Sequence, residues 1–120
     1  MVVYIKGVEM EIDAFNPDEL ERFEDAIDET AAKVKRAEKE KRASAGIRKQ
    51  CESIIECLDK VFGDGAAVKI LGTKTNLLDC LDAFGDLCLI HETMNAEIES
   101  KTAVFKEHVE AYSATRAERR

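Results

Sequence analysis

Two cysteines and a histidine in the second half of the chain have the residue types of a metal site. Cys88 and His91 are three residues apart, so on a helix they are neighbours, and Cys80 can share their side. A structural zinc site normally takes four ligands with closely spaced cysteine pairs, and the sequence has no Cys-x-x-Cys. The segment that begins at His91 has Asn95 where the zinc-protease pattern requires a second histidine. We therefore expect no metal site, and no cysteine nucleophile, because no base lies at a suitable spacing.

The glycines between the second and third predicted helices resemble a phosphate-binding loop only at first sight. Such a loop has four residues between its first glycine and a Gly-Lys-Ser/Thr sequence. Here residues 66–71 separate Gly65 from Gly72, and Thr73 separates Gly72 from Lys74. The segment is therefore predicted to be a turn between helices, and we expect neither a nucleotide nor any other cofactor.

Asp79, Asp82 and Asp86 follow steps of three and four, so they share one face of a helix. Paired carboxylates act as acid and base only in a cleft that shifts their pKa values. An exposed acidic stripe is the commoner arrangement. We expect this stripe to be solvated or to face a partner.

One basic block interrupts an acidic chain. Its members are Lys33, Lys35, Arg36, Lys39, Lys41, Arg42, Arg48 and Lys49. A single-strand nucleic-acid surface interleaves such charges with aromatic residues, and this block has none. The chain has a net charge of −7 and a pI near 4.9, which repels phosphate backbones. We expect no nucleic-acid partner, and the block is interpreted as a solvated helix end or a dock for an acidic surface of a neighbour.

The charge is distributed in blocks along a chain of 120 residues, a length that favours one domain. Residues 1–30 hold 10 acidic and 2 basic residues, and residues 31–50 hold 2 acidic and 8 basic ones. Residues 51–100 hold 10 acidic and 3 basic residues, and residues 101–120 hold 3 acidic and 5 basic ones. Opposed blocks of this kind can pair within the chain or with a partner of matching pattern.

The first thirteen residues have the pattern of a β-hairpin. Residues 2–5 are β-branched and aromatic, and residues 8–13 alternate apolar and acidic with a period of two. The turn is predicted near Gly7. Because a lone hairpin is marginal in water, it must pack on the helices or pair with another chain.

Three helices are predicted after the hairpin, the last one long. The first begins at Asn16-Pro17, where Asn16 caps and Pro17 suits the first position. The second runs from about Ile47 to Phe62. A short helical turn over residues 66–71 precedes the third helix, which starts near Asn76 and extends for roughly 35 residues at 1.5 Å each. Its far half outruns the core of so short a chain and needs the first helix or another subunit.

The predicted fold is therefore mainly α, with an N-terminal β-hairpin (1–13) and a helical bundle completed by oligomerisation. A single domain covers residues 1–112, and the polar residues 113–120 are expected to fray. The four cysteines sit in apolar patterns, as small buried hydrophobic residues do. No leader sequence and no membrane span are evident, so we expect free thiols, a reducing cytoplasm and no membrane partner.

Two segments together resemble a family of short phage and prophage proteins of Gram-positive bacteria. One is Tyr4-Ile5-Lys6-Gly7-Val8-Glu9-Met10-Glu11-Ile12-Asp13, followed by an acidic helix with Phe23-Glu24. The other runs from Cys51 to Phe84 and includes Val61-Phe62-Gly63-Asp64-Gly65, Gly72-Thr73-Lys74-Thr75-Asn76-Leu77 and Cys80-Leu81-Asp82-Ala83-Phe84. The opening hairpin also resembles small phage tail assembly chaperones.

The resemblance implies a non-enzymatic, oligomeric assembly factor in the host bacterial cytoplasm that coats the tape measure protein and hands over to tail tube proteins. The residues predicted to contact partners are Val3 and Ile5 in the hairpin, and Phe105, Val109 and Tyr112 for self-association. One alternative is an acidic inhibitor of a host defence protein, which would use the acids of residues 18–29 to mimic phosphate charge. A second alternative is a structural tail or head component.

Overall fold

The computed structural model describes residues 1–13 and 15–118, and of Glu118 only the backbone. It has two strands followed by helices: β1 (Val2–Ile5), β2 (Val8–Glu11), α1 (Pro17–Ala37), α2 (Ala43–Phe62), α3 (Ala66–Leu71) and α4 (Leu77–Glu118). The mainly α class, with an N-terminal hairpin and a long last helix, is confirmed. The chain divides into two compact units, Met1–Ile90 and His91–Arg120, where one domain over residues 1–112 was predicted.

The hairpin is antiparallel and turns at Lys6 and Gly7, in the register Val3↔Met10 and Ile5↔Val8. Both turn residues have positive φ, 49° and 77°, which is the requirement of a type I′ turn. Val3 and Ile5 share the inner face and are buried in the core. Their burial corrects the expectation that they lie on the surface: the period of two that exposes Tyr4 turns its neighbours inward.

Helix α1 begins as the sequence predicts. The Asn16 carboxamide oxygen accepts the backbone N–H groups of Asp18 (2.9 Å) and Glu19 (3.2 Å), with Pro17 at the first helical position. The Glu19 carboxylate accepts the N–H of Asp13 at 2.9 Å, so it ties the helix start to the end of the hairpin. The two hydrogen bonds to Asn16 satisfy the N–H groups of Asp18 and Glu19, which have no partner within the helix.

Helices α1 and α2 form an antiparallel pair. Salt bridges joining Lys60 to Glu29 (2.9 Å) and Lys33 to Glu56 (3.3 Å) show the direction, since the partner numbers fall as the others rise. Phe23 of α1 is fully buried, and α2 supplies several buried apolar side chains. These α2 residues are Cys51, Ile54, Cys57, Leu58 and Val61.

The segment 66–71, predicted as a single turn, is the separate helix α3. The Asp59 carboxylate of α2 accepts the N–H of Ala67 at 2.9 Å and so caps this short helix from outside. Gly65 and Gly72 flank it with φ of 89° and 79°, values that favour glycine. The described chain therefore has four helices, one more than predicted.

Helix α4 begins after Asn76, whose side chain accepts the N–H groups of Leu78 (2.8 Å) and Asp79 (3.3 Å). It is continuous through Gly85 and reaches Glu118. Residues 113–118, expected to fray, are helical, and within them the Thr115 hydroxyl donates to the Ala111 carbonyl at 3.0 Å. Residues 119 and 120 of the predicted tail lie outside the described residues.

Candidate protein-binding surfaces

The cysteines belong to the core of the first unit. Cys51, Cys57 and Cys80 are buried and Cys88 is half-buried, and all four are free thiols. Burial raises the pKa of the Cys57 thiol, which also donates to the Ala26 carbonyl at 3.6 Å. Burial and the neighbouring Cys51 thiol raise the pKa of Cys80 to about 12. Because the thiolate is the form that binds metals and attacks carbon, the raised pKa values make Cys57 and Cys80 poor ligands and nucleophiles at neutral pH.

The acidic stripe of α4 holds the hairpin turn. The Asp86 carboxylate accepts the backbone N–H of Lys6 at 2.9 Å. The Lys6 ammonium lies 3.2 Å from Asp79 and 3.7 Å from Asp82, and the hydrogen bond to Asp79 is the main cause that raises the pKa of Lys6. The stripe therefore contacts the chain's own N-terminal hairpin, with Asp86 as the acceptor of its backbone, while the side chains of Asp79 and Asp82 remain 50% and 70% exposed and so are also solvated, as predicted.

Two of the eight residues of the basic block form ion pairs within the first unit. Lys33 binds Glu56 of α2, and Lys49 binds Glu40 in the connection between the two helices. A shallow groove along the pair also includes Arg36 and Glu52. Of these two pairs, only Lys33–Glu56 joins the basic block to an acidic block, the one over residues 51–100.

The acidic face of α1 is only partly available to a partner. Glu19 is engaged with the hairpin end, and Glu29 pairs with Lys60, whose ammonium lowers the pKa of the Glu29 carboxyl. Asp18, Glu21 and Asp25 line a groove with Arg22 and Lys60, so cationic side chains interrupt the acidic surface.

An exposed apolar stripe lies on the part of α4 that belongs to the first unit. Leu78, Leu81 and Leu89 are exposed, the first by 69% and the last by 61%. Gly85 lies between them at helical spacing, and a β-carbon there would meet no atom within 4 Å. We did not predict this surface. Its sequence signal is the excess of apolar residues in 77–90, which are too many for one face of a helix.

The second unit exposes a longer surface. Every described side chain from Glu99 to Ala117 is exposed, within one helix. Phe105 and Tyr112 are exposed by 66% and 65%, and Val104 and Val109 by about half. Phe105, Val109 and Tyr112 are the residues predicted for self-association, and the structure leaves them accessible. Apolar side chains gathered on one accessible helix are typical of protein contacts.

Within residues 1–13 and 15–118, no three His, Cys, Asp or Glu side chains are grouped so as to hold a metal ion. None of the helices in this part of the chain combines the length and apolar character needed to cross a bilayer.

The fold and these surfaces define a mainly helical protein with an anchored N-terminal hairpin and exposed apolar helix faces. The chain belongs to the family described as "Family of unknown function (DUF6673)", which matches residues 6–120. No curated protein and no solved structure matches the chain.

Proposed function

We propose that the chain is a non-enzymatic assembly factor that works by binding other proteins, most specifically a phage tail assembly chaperone in the host bacterial cytoplasm. The observation that carries the binding role is the exposed helix over residues 99–117, with Phe105 and Tyr112 accessible. The resemblance of the hairpin to tail assembly chaperones supplies the particular role. The partners would be the tape measure protein, tail tube proteins and further copies of the chain.

The binding step is helix recognition by an apolar face. A second amphipathic helix laid along Phe105, Val109 and Tyr112 would cover side chains that water now surrounds. Burying apolar surface contributes roughly 25 cal/mol per Å², so two aromatic anchors would dominate the contact. A tape measure protein contains long helices in this proposal and would be kept soluble by many such contacts.

The test is co-expression of the tagged chain with the tape measure protein of the same genome. We expect the two to co-purify and the tape measure protein to remain soluble. Replacing both aromatic anchors, Phe105→Ser with Tyr112→Ser, should abolish co-purification. The matched control is Val68→Ser in α3, which removes an exposed apolar side chain from the other unit. Loss of co-purification in the Val68→Ser control alone would contradict the proposal. Failure of the unaltered chain to co-purify with the tape measure protein would also contradict it.

A second candidate is an acidic inhibitor of a basic host defence protein. Asp18, Glu21 and Asp25 on one groove of α1 favour it, although Arg22 and Lys60 line the same groove. Binding to a basic nuclease that is lost in the variant Glu21→Lys with Asp25→Lys would support this function. A third candidate, a structural tail or head component, predicts the chain in finished particles.

A further inference from the structure

The apolar residues of the second unit follow the spacing of a coiled coil. Ile98, Thr102, Phe105, Val109 and Tyr112 are separated alternately by four and three residues. This is the spacing of the seam positions d and a in a heptad repeat. Ile98 is half-buried and the other four are exposed, so the seam is available to another helix.

The charges that flank the seam are placed unevenly. Glu99 and Lys106 occupy the e positions, one heptad apart and opposite in sign. Lys101 and His108 occupy the g positions on the other flank. Because the flanking residues of two paired helices lie next to each other, these charges distinguish between the two possible directions of a self-pair.

A parallel, in-register pair is disfavoured. In that arrangement a g residue lies beside the e residue five positions later in the other chain, which sets Lys101 against Lys106 twice. The acidic e residue, Glu99, would have Met94 as its g neighbour and no cation. Two like-charge contacts and no attractive one result.

An antiparallel pair places opposite charges of the same flanking residues next to each other. If Phe105 packs beside Thr102 of the second copy, Ile98 packs beside Val109 and Asn95 beside Tyr112. The e flanks then lie together, and Glu99 of each copy faces Lys106 of the other. The opposite flank sets Lys101 beside His108. Each copy contributes the same surface, as a twofold interface requires.

We propose that the helix over residues 95–112 is a docking site for a second copy of this chain, bound antiparallel, with two Glu99–Lys106 contacts setting the direction. This rests on the self-association included in the proposed function and adds its geometry. The seam spans 18 residues, about 27 Å of helix at 1.5 Å per residue. A contact of that length forms a reversible dimer whose population depends on concentration.

The variant Lys106→Glu distinguishes the two directions, because it changes the dimer dissociation constant in opposite senses in the antiparallel and the parallel dimer. In the antiparallel dimer it replaces both attractive contacts by Glu–Glu repulsion, and we expect the dimer dissociation constant to rise about tenfold. In a parallel dimer it would turn both Lys–Lys contacts into attractive ones, and the dissociation constant would fall. The measurement is sedimentation equilibrium at low salt, where exposed charges are least screened.

Further variants complete the design. Glu99→Lys should weaken the dimer by a similar factor, and the exchanged pair Glu99→Lys with Lys106→Glu should restore it to within about threefold of wild type. An equimolar mixture of the two single variants should form a heterodimer, because each then supplies the charge that the other lacks. Glu107→Lys, on the outward side of the same helix, and Lys74→Glu, in the first unit, make the same charge changes away from the seam.

Circular dichroism verifies that each variant remains helical. Weakening by both single variants, with recovery in the exchanged pair and little effect of the controls, supports the antiparallel dimer. A tighter dimer of Lys106→Glu overturns the direction while self-association stands. A monomer at every concentration overturns the dimer itself, and co-purification with the tape measure protein then still decides the proposed function separately.

Discussion

Gly46 and Gly85 both lie inside helices of the first unit, yet an added side chain would meet different surroundings. A β-carbon at Gly46 would lie 3.1 Å from the carbonyl oxygen of Ala37, whereas one at Gly85 would meet nothing within 4 Å. Alanine favours a helix by about 1 kcal/mol over glycine. We expect Gly85→Ala to raise the free energy of unfolding by about 0.5–1 kcal/mol, and Gly46→Ala to lower it.

Urea unfolding of the two variants measures this difference directly. Equal gains in both would contradict the close approach of α2 to the end of α1. The variant Gly85→Ala can also be tested in the co-purification assay. If the variant folds stably but no longer binds its partner, a partner helix must pack closely against the exposed leucine stripe at Gly85.

The buried thiol of Cys80 makes a prediction about alkaline pH. Its pKa is raised from 9.0 to about 12 in the folded chain. Below pH 9 the thiol is protonated in both states, but between pH 9 and 12 only the unfolded chain releases the proton, so the free energy of unfolding falls as the pH rises. We expect the variant Cys80→Ala to lose stability less steeply between pH 9 and 10. Parallel unfolding profiles of the two proteins over that interval would contradict the assignment.

Single residues were predictable where their role is local. Asn16 caps its helix as expected because the cap depends only on its neighbours in sequence. The roles of Lys6 and the three aspartates were not predictable, because more than seventy residues separate Lys6 from Asp79 and Asp86. A carboxylate stripe has the same pattern whether it faces water or a hairpin.

At the scale of elements, the hairpin depends on a backbone hydrogen bond to α4. We expect Asp86→Ala to destabilise the first unit by about 1 kcal/mol, since it removes the acceptor of the Lys6 N–H. The matched control is Asp82→Ala, because its carboxylate is 70% exposed and lies 3.7 Å from the ammonium. Thermal unfolding compares the two variants. An equal loss in both would show that net charge, rather than the hydrogen bond, holds the hairpin.

The bounds of elements were predictable where apolar periodicity or a cap was present. The first helix begins at Pro17 and the second ends at Phe62, where the pattern predicts them. Helix α2 begins at Ala43 and not near Ile47, because Gly46 is a helical residue whose backbone packs closely beside Ala37. A glycine required by close backbone approach cannot be told from a turn glycine by sequence alone.

At the scale of the whole molecule, the charge blocks and the long helix were predicted, but the division after Ile90 was not. The apolar pattern continues from Leu77 to Tyr112 without a proline, so the sequence has no signal of a boundary. Only the solvent exposure of the side chains in the structure shows that the apolar residues beyond Glu99 are not buried by the rest of the described chain. A pattern identifies which residues need burial, and it does not say which chain provides it.

Self-association should therefore be visible in the exchange of backbone amide hydrogens. Residues 99–117 bury no side chain in the chain described, so this part of α4 lacks the tertiary packing that supplies most helical stability in proteins. We expect their amides to exchange more slowly when the concentration rises from about 1 µM to about 100 µM, because the dimer alone covers them. The amides around Leu58, in the core of α2, serve as the internal control and should not respond. The variant Phe105→Ser with Tyr112→Ser should exchange rapidly at both concentrations. If these amides exchanged slowly at both concentrations, the helix would be stable without a second copy. That result would contradict the proposal that the exposed seam binds another copy of the chain.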